Sequence, residues 1–235
     1  MMSTIVFPDR AASARHARAE QCLARAAAAA AKAPVVGGAR PWCWQLAGDT
    51  AVLSLVTRGR AAGTSRFAQD VVDCGSGLQH ALTVLAGTGA EVALDLFPDA
   101  TRPDLIASLR ITGFGVATPA AVRAHRAVSL HTHPAALPGR ATVPGPVWAS
   151  LQRIATTIGA RLSVPGTRTG DALVEPIDDT PAGWLNAGRA LSAMALAPSM
   201  DRLILAPVRR APSDTGAAFT IRLAVPADGT APAAP

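Results

Sequence analysis

Two segments of the chain carry the same order of features, and this internal repeat limits the folds that the chain can adopt. Residues 74–96, CGSGLQHALTVLAGTGAEVALDL, and residues 186–208, NAGRALSAMALAPSMDRLILAPV, both run from a helix rich in small residues through a turn into a strand. Gly75, Gly77 and Gly188 lack a side chain, so each helix is expected to pack closely against a neighbour. Because helix-then-strand order is common in layered proteins, the pattern predicts a layered fold and leaves the duplication as a hypothesis.

Hydrophobic periodicity, helix caps and helix-breaking residues predict an α+β order for the whole chain. Helices are predicted at residues 9–32, 68–86, 119–126, 146–158 and 180–197. Strands are predicted at residues 42–46, 52–56, 92–97, 105–111, 161–164, 203–208 and 219–225. Thr180 and Pro181 form the strongest of the helix starts, as an N-cap followed by proline at the first helical position.

The charge balance and hydropathy exclude two classes of partner. The net charge is +6, but Lys32 is the only lysine and the arginines are scattered, usually singly, along the chain without a nucleic-acid recognition motif. No apolar run approaches the roughly 18 residues of a membrane span. The opening MMSTIVFPDR lacks the basic-then-apolar order of a secretion signal. We therefore expect a cytoplasmic protein with neither a nucleic-acid nor a membrane partner.

The cysteines and histidines do not form a recognisable metal or catalytic pattern. Cys22, Cys43 and Cys74 are far apart and lack CxxC spacing, which disfavours both a disulfide framework and a zinc ribbon. His131 and His133 alternate in an extended segment, as zinc ligands sometimes do, but no Cys, Asp or Glu lies nearby in sequence. We expect no metal site, and no Ser-His-Asp set or P-loop identifies a catalytic residue.

The segment APVVGGARPWCWQL, residues 33–46, holds two of the four tryptophans of a chain that is only 4% aromatic. Trp42 and Trp44 alternate, which predicts a strand that they anchor in the core, with stacking on a ligand as the alternative. Gly37 and Gly38 are typical of a plain loop, although their N–H groups could also form an anion-binding nest.

The order of these motifs resembles the Acg-like branch of the nitroreductase family, actinobacterial proteins described as FMN-binding NAD(P)H nitroreductases. The resemblance is carried by APxxxxxxPWxW from Ala33, the Gly48-Asp49 turn, CGxxL from Cys74, and DTPAxWLxAGxAL over residues 179–191. It covers most of the chain. It implies a nitroreductase-like mixed β-sheet flanked by helices, with two halves in one chain as a pseudo-dimer, which would explain the internal repeat.

The resemblance also implies a division of the chain. The N-terminal nitroreductase-like half is expected at residues 1–126 and a shortened C-terminal half at residues 127–225, followed by a disordered Pro/Ala tail at residues 226–235. Members of the family carry further helical sequence in the second half, so a deletion is expected near residues 165–175.

In the family, FMN is held by the loop before PW and by a later arginine-rich stretch. The loop usually reads PSxHNxQPW, whereas its polar positions here are Val35, Gly37, Gly38 and Arg40, which leaves backbone N–H groups and one cation to meet a ligand. Arg40 is the best single candidate for an anionic ligand, and a surface ion pair would explain it equally well.

The later family motif, RRTNRRPF, suits a phosphate because arginine donates charge-assisted hydrogen bonds in pairs. The corresponding segment here is LHTHPAAL, residues 130–137, in which every arginine of the cluster is missing. The residues expected to contact a flavin are Gly37, Gly38, Arg40, Trp42, His131 and His133.

Two hypotheses about function follow from the resemblance and its departures. In the first, the chain is an FMN-binding oxidoreductase that takes electrons from NAD(P)H and has weakened or lost activity. In the second, it is a non-catalytic scaffold or interaction protein derived from that family, which binds no flavin and pairs with a second copy or with an intact relative. The electron acceptor is not indicated by the sequence.

Overall fold

The computed structural model describes residues 10–56, 64–130, 142–164, 170–197, 203–208 and 218–224. The first half of the chain forms three helices and four strands: α1 (Arg10–Ala30), β1 (Trp42–Ala47), β2 (Thr50–Leu55), α2 (Ser65–Gly87), β3 (Ala90–Leu96), β4 (Leu105–Phe114) and α3 (Pro119–Leu130). The second half forms α4 (Gly145–Ile158), β5 (Ala160–Ser163), β6 (Asp171–Pro176), α5 (Pro181–Ala195), β7 (Ile204–Val208) and β8 (Phe219–Ala224). The α+β class is therefore confirmed.

The two halves have the same topology. The strand order is β1-β2-β4-β3 in the first sheet and β5-β6-β8-β7 in the second. In each half a helix precedes a hairpin, and a second helix, α2 or α5, connects the hairpin to the next two strands. The repeat seen in the sequence at residues 74–96 and 186–208 thus covers the second helix and third strand of each unit.

All strand pairs of the described residues are antiparallel and lie in two separate sheets, whereas the resemblance implied one mixed sheet. The geometry of the crossover explains this difference. The connection through α2 brings β3 into the sheet parallel to β2, but β4 then folds back between them and pairs with both. The parallel strands are never adjacent, and the same holds for β6 and β7 around β8.

Helices α2 and α5 pack directly against each other and join the two halves. A Cβ atom at Gly75 would overlap the carbonyl oxygen of Leu185, and a Cβ atom at Gly188 would overlap the carbonyl oxygen of Val72. Each glycine therefore faces the carbonyl three residues before the other glycine. This reciprocal contact gives the pair of helices a local two-fold relation, and it confirms the close packing expected of these small-residue helices.

The core is built around this helix pair. Most of α2 from Phe67 to Leu85 is buried, because its polar positions as well as its apolar ones face other elements. Trp184 of α5 is buried and meets Phe67 edge to face, with ring centroids 6.2 Å apart. Helix α1 packs on α2, and α4 packs on α5, so each sheet is covered by two helices.

Most predicted elements lie within a few residues of their observed positions, and the main omission is β6. Its sequence, DALVEP, buries Ala172 and Val174 alternately, but the acidic residues and Pro176 hide this short alternation. Strand β6 therefore begins within the region near residues 165–175 in which a deletion was expected. The proposed boundary after Arg126 lies inside α3, and the proposed tail lies outside the described residues.

Candidate functional site

The loop before Trp42 is fastened to α2 by one buried carboxylate. The backbone N–H of Val36 donates to Oδ1 of Asp73 at 2.6 Å, and the N–H of Gly37 donates to Oδ2 at 2.9 Å. Asp73 is completely buried, as is Val36 apart from a small fraction of its surface. The loop thus already has an anion bound to the N–H groups that a nest would offer to a ligand.

The surroundings of Asp73 change its acidity. Burial raises its pKa from 3.8 to about 7, and the nearby Asp70 adds to the increase. The two backbone hydrogen bonds and Arg66 act in the opposite direction, since they favour the charged form. Arg66 itself lies 3.3 Å from Asp70, one turn earlier on the same helix. The carboxyl of Asp73 is therefore expected to exchange its proton near neutral pH.

The structure brings together only part of the predicted flavin site. Gly37 is buried against Asp73, and Trp42 is half-buried at the start of β1 beside Gly77, where an added Cβ would lie 3.2 Å from the indole ring. Gly38 has φ +74° and nothing within 4 Å of an added Cβ, and Arg40 is exposed. Gly37 and Trp42 thus contact the same face of α2, whereas Gly38 and Arg40 face outward.

His131 and His133, which were predicted to replace the arginine cluster, lie outside the described residues. Within those residues, no group of three or more His, Cys, Asp or Glu side chains is placed to hold a metal ion. Cys74 is buried, and burial together with the neighbouring carboxylates raises the pKa of its thiol well above the usual value. The reactive thiolate form of Cys74 is therefore disfavoured.

Asp73 is the residue that the sequence analysis missed. The segment VVDCGSG places a carboxyl among apolar and small residues, and a buried carboxyl without a sequence-adjacent partner is uncommon. That signal was available in the sequence. The hydrogen-bond partner of Asp73 could not be predicted, because the contact spans 37 positions and joins a side chain to backbone N–H groups.

A second polar cluster lies between α2 and α5. Nδ1 of His80 is 2.5 Å from Oγ of Ser192, and both side chains are fully buried. Farther along the interface Arg189 donates to Oε1 of Gln79 at 3.4 Å and to Oδ1 of Asn186 at 3.2 Å. Burial lowers the pKa of the Arg189 guanidinium, since its neighbours are amide oxygens rather than carboxylates. The contacts of His80 with Ser192 and of Arg189 with Gln79 join the two halves.

Three clefts among the described residues are lined by residues other than the predicted flavin contacts. Two adjoining clefts of about 470 and 220 Å³ lie between the first turns of α1 and the end of β4, and they share Arg15, Thr112, Gly113 and Phe114. In the first of them Arg18 stacks on Phe114, with its guanidinium carbon 3.9 Å from the ring centroid. A third cleft of about 280 Å³ lies between α1 and α3.

The residues present at the loop do not fit the requirements of a flavin site. The N–H of Gly37 is engaged by Asp73, whose carboxyl, when ionised, would oppose a phosphate or the anionic edge of a reduced flavin. The cation at position 40 is exposed to solvent, where a single charged hydrogen bond is weakened by water. The loop is therefore a connection held closed by internal hydrogen bonds rather than a ligand-binding loop.

Comparison of the sequence with protein families and curated proteins found no match. Among the described residues, no helix combines the length and the apolar character needed to cross a membrane.

Proposed function

We propose that this chain is a non-catalytic binding protein that derives from the Acg-like branch of the nitroreductase family and no longer uses a flavin. The duplicated helix-hairpin-helix-hairpin topology supports the family relationship, since the resemblance implied two related halves in one chain. The motif DTPAxWLxAGxAL also forms the capped helix α5, in which Thr180 accepts a hydrogen bond from the N–H of Gly183 at 3.1 Å.

The observation that supports a loss of flavin binding is the pair of hydrogen bonds between the loop and Asp73. A loop that binds an isoalloxazine or phosphate must present donors to the ligand. Here the donors of Val36 and Gly37 are both satisfied from within the protein by a buried carboxylate. Each charged hydrogen bond that a ligand lacks costs about 1.5–3 kcal/mol of binding free energy. The loss of several such bonds therefore lowers the affinity for the ligand by orders of magnitude.

The test is the flavin content of the purified protein. We expect a colourless protein that shows no absorbance band near roughly 450 nm, the region where oxidised flavins absorb, and that fails to bind added FMN at micromolar concentration. A yellow protein that releases FMN on heating would contradict the proposal. Flavin reduction by NADH and NADPH, followed in the same sample, would then establish a reductase.

An FMN-binding reductase with weakened activity is the second candidate, and the raised pKa of Asp73 favours it. A protonated carboxyl keeps only one good acceptor oxygen, so one of the two N–H groups of Val36 and Gly37 becomes available to a ligand below about pH 7. This candidate predicts FMN binding that strengthens as the pH falls from about 8 to about 6. Titration of FMN at the two pH values separates the candidates, because the flavin-free protein shows no binding at either.

A further inference from the structure

Strand β1 differs from the other strands that end a sheet. The strand orders place β1 and β3 at the edges of the first sheet, and β5 and β7 at the edges of the second. Charged residues and proline on an edge strand discourage pairing with another chain. The other three edge strands carry such residues: Glu91 and Asp95 in β3, Arg161 in β5 and Pro207 in β7. Strand β1, WCWQLA, has neither a charge nor a proline.

The register of the first hairpin shows which backbone groups of β1 lie at this edge. The N–H of Val56 donates to the carbonyl of Pro41 at 2.6 Å, and the pairing of β1 with β2 continues from there. Alternate residues of an antiparallel strand direct their N–H and C=O groups to opposite sides. Among the described residues β1 pairs with β2 alone. The groups directed away from β2 therefore belong to Trp42, Trp44 and Leu46.

Apolar side chains lie beside these backbone groups. Leu46 is 40% exposed, and Trp42 and Trp44 are only half-buried although both pack against the core. A further strand along this edge would cover apolar surface and satisfy the backbone groups in one step, as in other cases of strand addition to a sheet.

The two ends of β1 carry opposite charges. Arg40 is exposed two residues before the strand, and Asp49 lies two residues after it in the turn to β2. Asp49 accepts a hydrogen bond from the hydroxyl of Thr50 at 3.1 Å and shares a cleft with Arg15 and His16. Within the described part of the chain, neither Arg40 nor Asp49 forms an ion pair. An antiparallel copy of the same segment would bring the arginine of each copy to the aspartate of the other.

We propose that β1 pairs with β1 of a second copy of this chain, antiparallel and around a two-fold axis at Trp44. In this register Trp44 lies opposite its own equivalent, and Trp42 lies opposite Leu46 of the partner subunit. Each of these pairs can exchange both of its N–H···O bonds, and a register shifted by two residues would lose one of the pairs. Arg40 then lies beside Asp49 of the partner subunit.

The two-fold pairing joins the first sheets of the two copies into one continuous sheet, with four strands from each copy. It also uses the free edge of both β1 strands, so the assembly closes at a dimer. The role of this dimer rests on the proposed function as a binding protein, but the pairing itself does not depend on whether the chain holds FMN.

The first test is the oligomeric state of the full chain, measured by sedimentation velocity between about 1 and 100 µM. A single strand pair is a small interface, so we expect a dimer at the highest concentration that dissociates on dilution. A monomer throughout this range, which would leave the edge to a different protein, would overturn the proposal, as would assemblies larger than a dimer. The FMN content of the same samples is recorded separately, so a yellow dimer would contradict only the proposed loss of flavin.

A charge at the edge provides the second test. Leu46→Lys places a cation beside the edge of β1 and should weaken the dimer at least about tenfold, with unchanged circular dichroism. Ala93→Lys adds the same charge at an exposed position of β3, the opposite edge of the same sheet, and should leave the dimer intact. An unaffected dimer in Leu46→Lys, or equal weakening in both variants, would refute pairing through β1.

A disulfide tests the register. With Trp44 on the axis, the exposed Cys43 lies opposite Gln45 of the partner subunit in a pair without mutual hydrogen bonds, whose Cα atoms are about 4.5 Å apart. That distance allows a disulfide. Gln45→Cys should therefore give a covalent dimer on a non-reducing gel after oxidation with diamide. The same change combined with Cys43→Ser should give little, because the introduced thiols are then offset along the strands. No covalent dimer in the single variant, or the same yield in both, would overturn this register.

Discussion

At Asp73 a carboxyl group lies inside the protein with two backbone N–H groups as its hydrogen-bond donors. Burial raises its folded-state pKa from 3.8 to about 7, so the folded protein keeps a proton that the unfolded chain releases in this range. The stability that this proton provides is complete below the unfolded pKa and is lost as the pH rises to about 7. Asp73 therefore makes the fold less stable at neutral than at mildly acidic pH.

Asp73→Asn should remove this pH dependence, because the amide does not titrate. We expect the free energy of unfolding of the natural chain to fall relative to that of the variant between about pH 4 and 7, by at most about 1.4 kcal/mol per pH unit. Urea denaturation of both proteins at several pH values measures the difference. Parallel profiles would show that the carboxyl does not titrate in this range.

Asp99 provides a control of opposite sign. Its pKa is lowered by hydrogen bonds from the hydroxyl and the backbone N–H of Thr101. The stability from Asp99 is therefore present at neutral pH and is lost as the pH falls through its folded-state pKa. Asp99→Asn should leave the slope between about pH 4 and 7 unchanged.

At the scale of elements, the contact between α2 and α5 depends on two glycines. Gly188→Ala would place a methyl group against the backbone of Val72 and Ser76, and Gly75→Ala would do the same at Leu185 and Arg189. We expect the free energy of unfolding of each variant to fall by about 3 kcal/mol, the upper part of the usual range for overpacking. The methyl group meets backbone atoms in both cases, and these cannot turn away as a side chain could. Urea midpoints at constant slope measure the loss.

Gly145→Ala is the matched control for these variants. Gly145 is the first residue of α4, and nothing lies within 4 Å of an added Cβ. Alanine is a better helix former than glycine, so this variant should be neutral or more stable by up to about 1 kcal/mol. Similar losses in all three variants would mean that the helix contact is not the cause.

The start of α5 is an element whose role was readable in the sequence. Thr180 caps the helix through the N–H of Gly183, and its hydroxyl donates to Asp178. Thr180→Ala should cost about 1 kcal/mol of stability, measured as a lower thermal midpoint. Thr157→Ala is the comparison, because that hydroxyl only bonds back to Arg153 within α4 and its loss should be nearly neutral. A neutral Thr180→Ala would argue against the cap.

Local signals explain which elements were predictable. Caps, prolines and a 3.6-residue period lie in adjacent residues, so α1, α2, α4 and α5 were predicted nearly in full. Strand β6 has only six residues with two buried apolar positions, too few for a clear alternation. The partition of strands into two sheets depends on β4 lying between β2 and β3, a pairing between distant segments that no local pattern encodes.

At the scale of the whole molecule, α2 and α5 make the two halves a single structural unit. Trp42 and Trp44 belong to the first half, and Trp148 and Trp184 belong to the second. All four pack into one continuous core, and buried contacts such as His80 with Ser192 cross between the halves. A core shared in this way is expected to unfold cooperatively.

We therefore expect one unfolding transition for the full chain. Variants that keep a tryptophan in only one half at a time should report the same urea midpoint by fluorescence, and this midpoint should agree with that from far-ultraviolet circular dichroism. Tryptophan-to-phenylalanine changes serve for this purpose, with each variant compared with its own dichroism curve to correct for lost stability. Separate midpoints for the two halves would show that they fold independently.

The reciprocal glycine contact limits how this protein can change during evolution. Since each missing side chain is required by the main chain of the opposite helix, no exchange of amino acid on that helix can make room for a larger residue. Every amino acid contributes the same carbonyl group to the backbone, so a mutation on the opposite helix cannot compensate for the loss of either glycine. Only a shift of one entire half against the other would restore the fit.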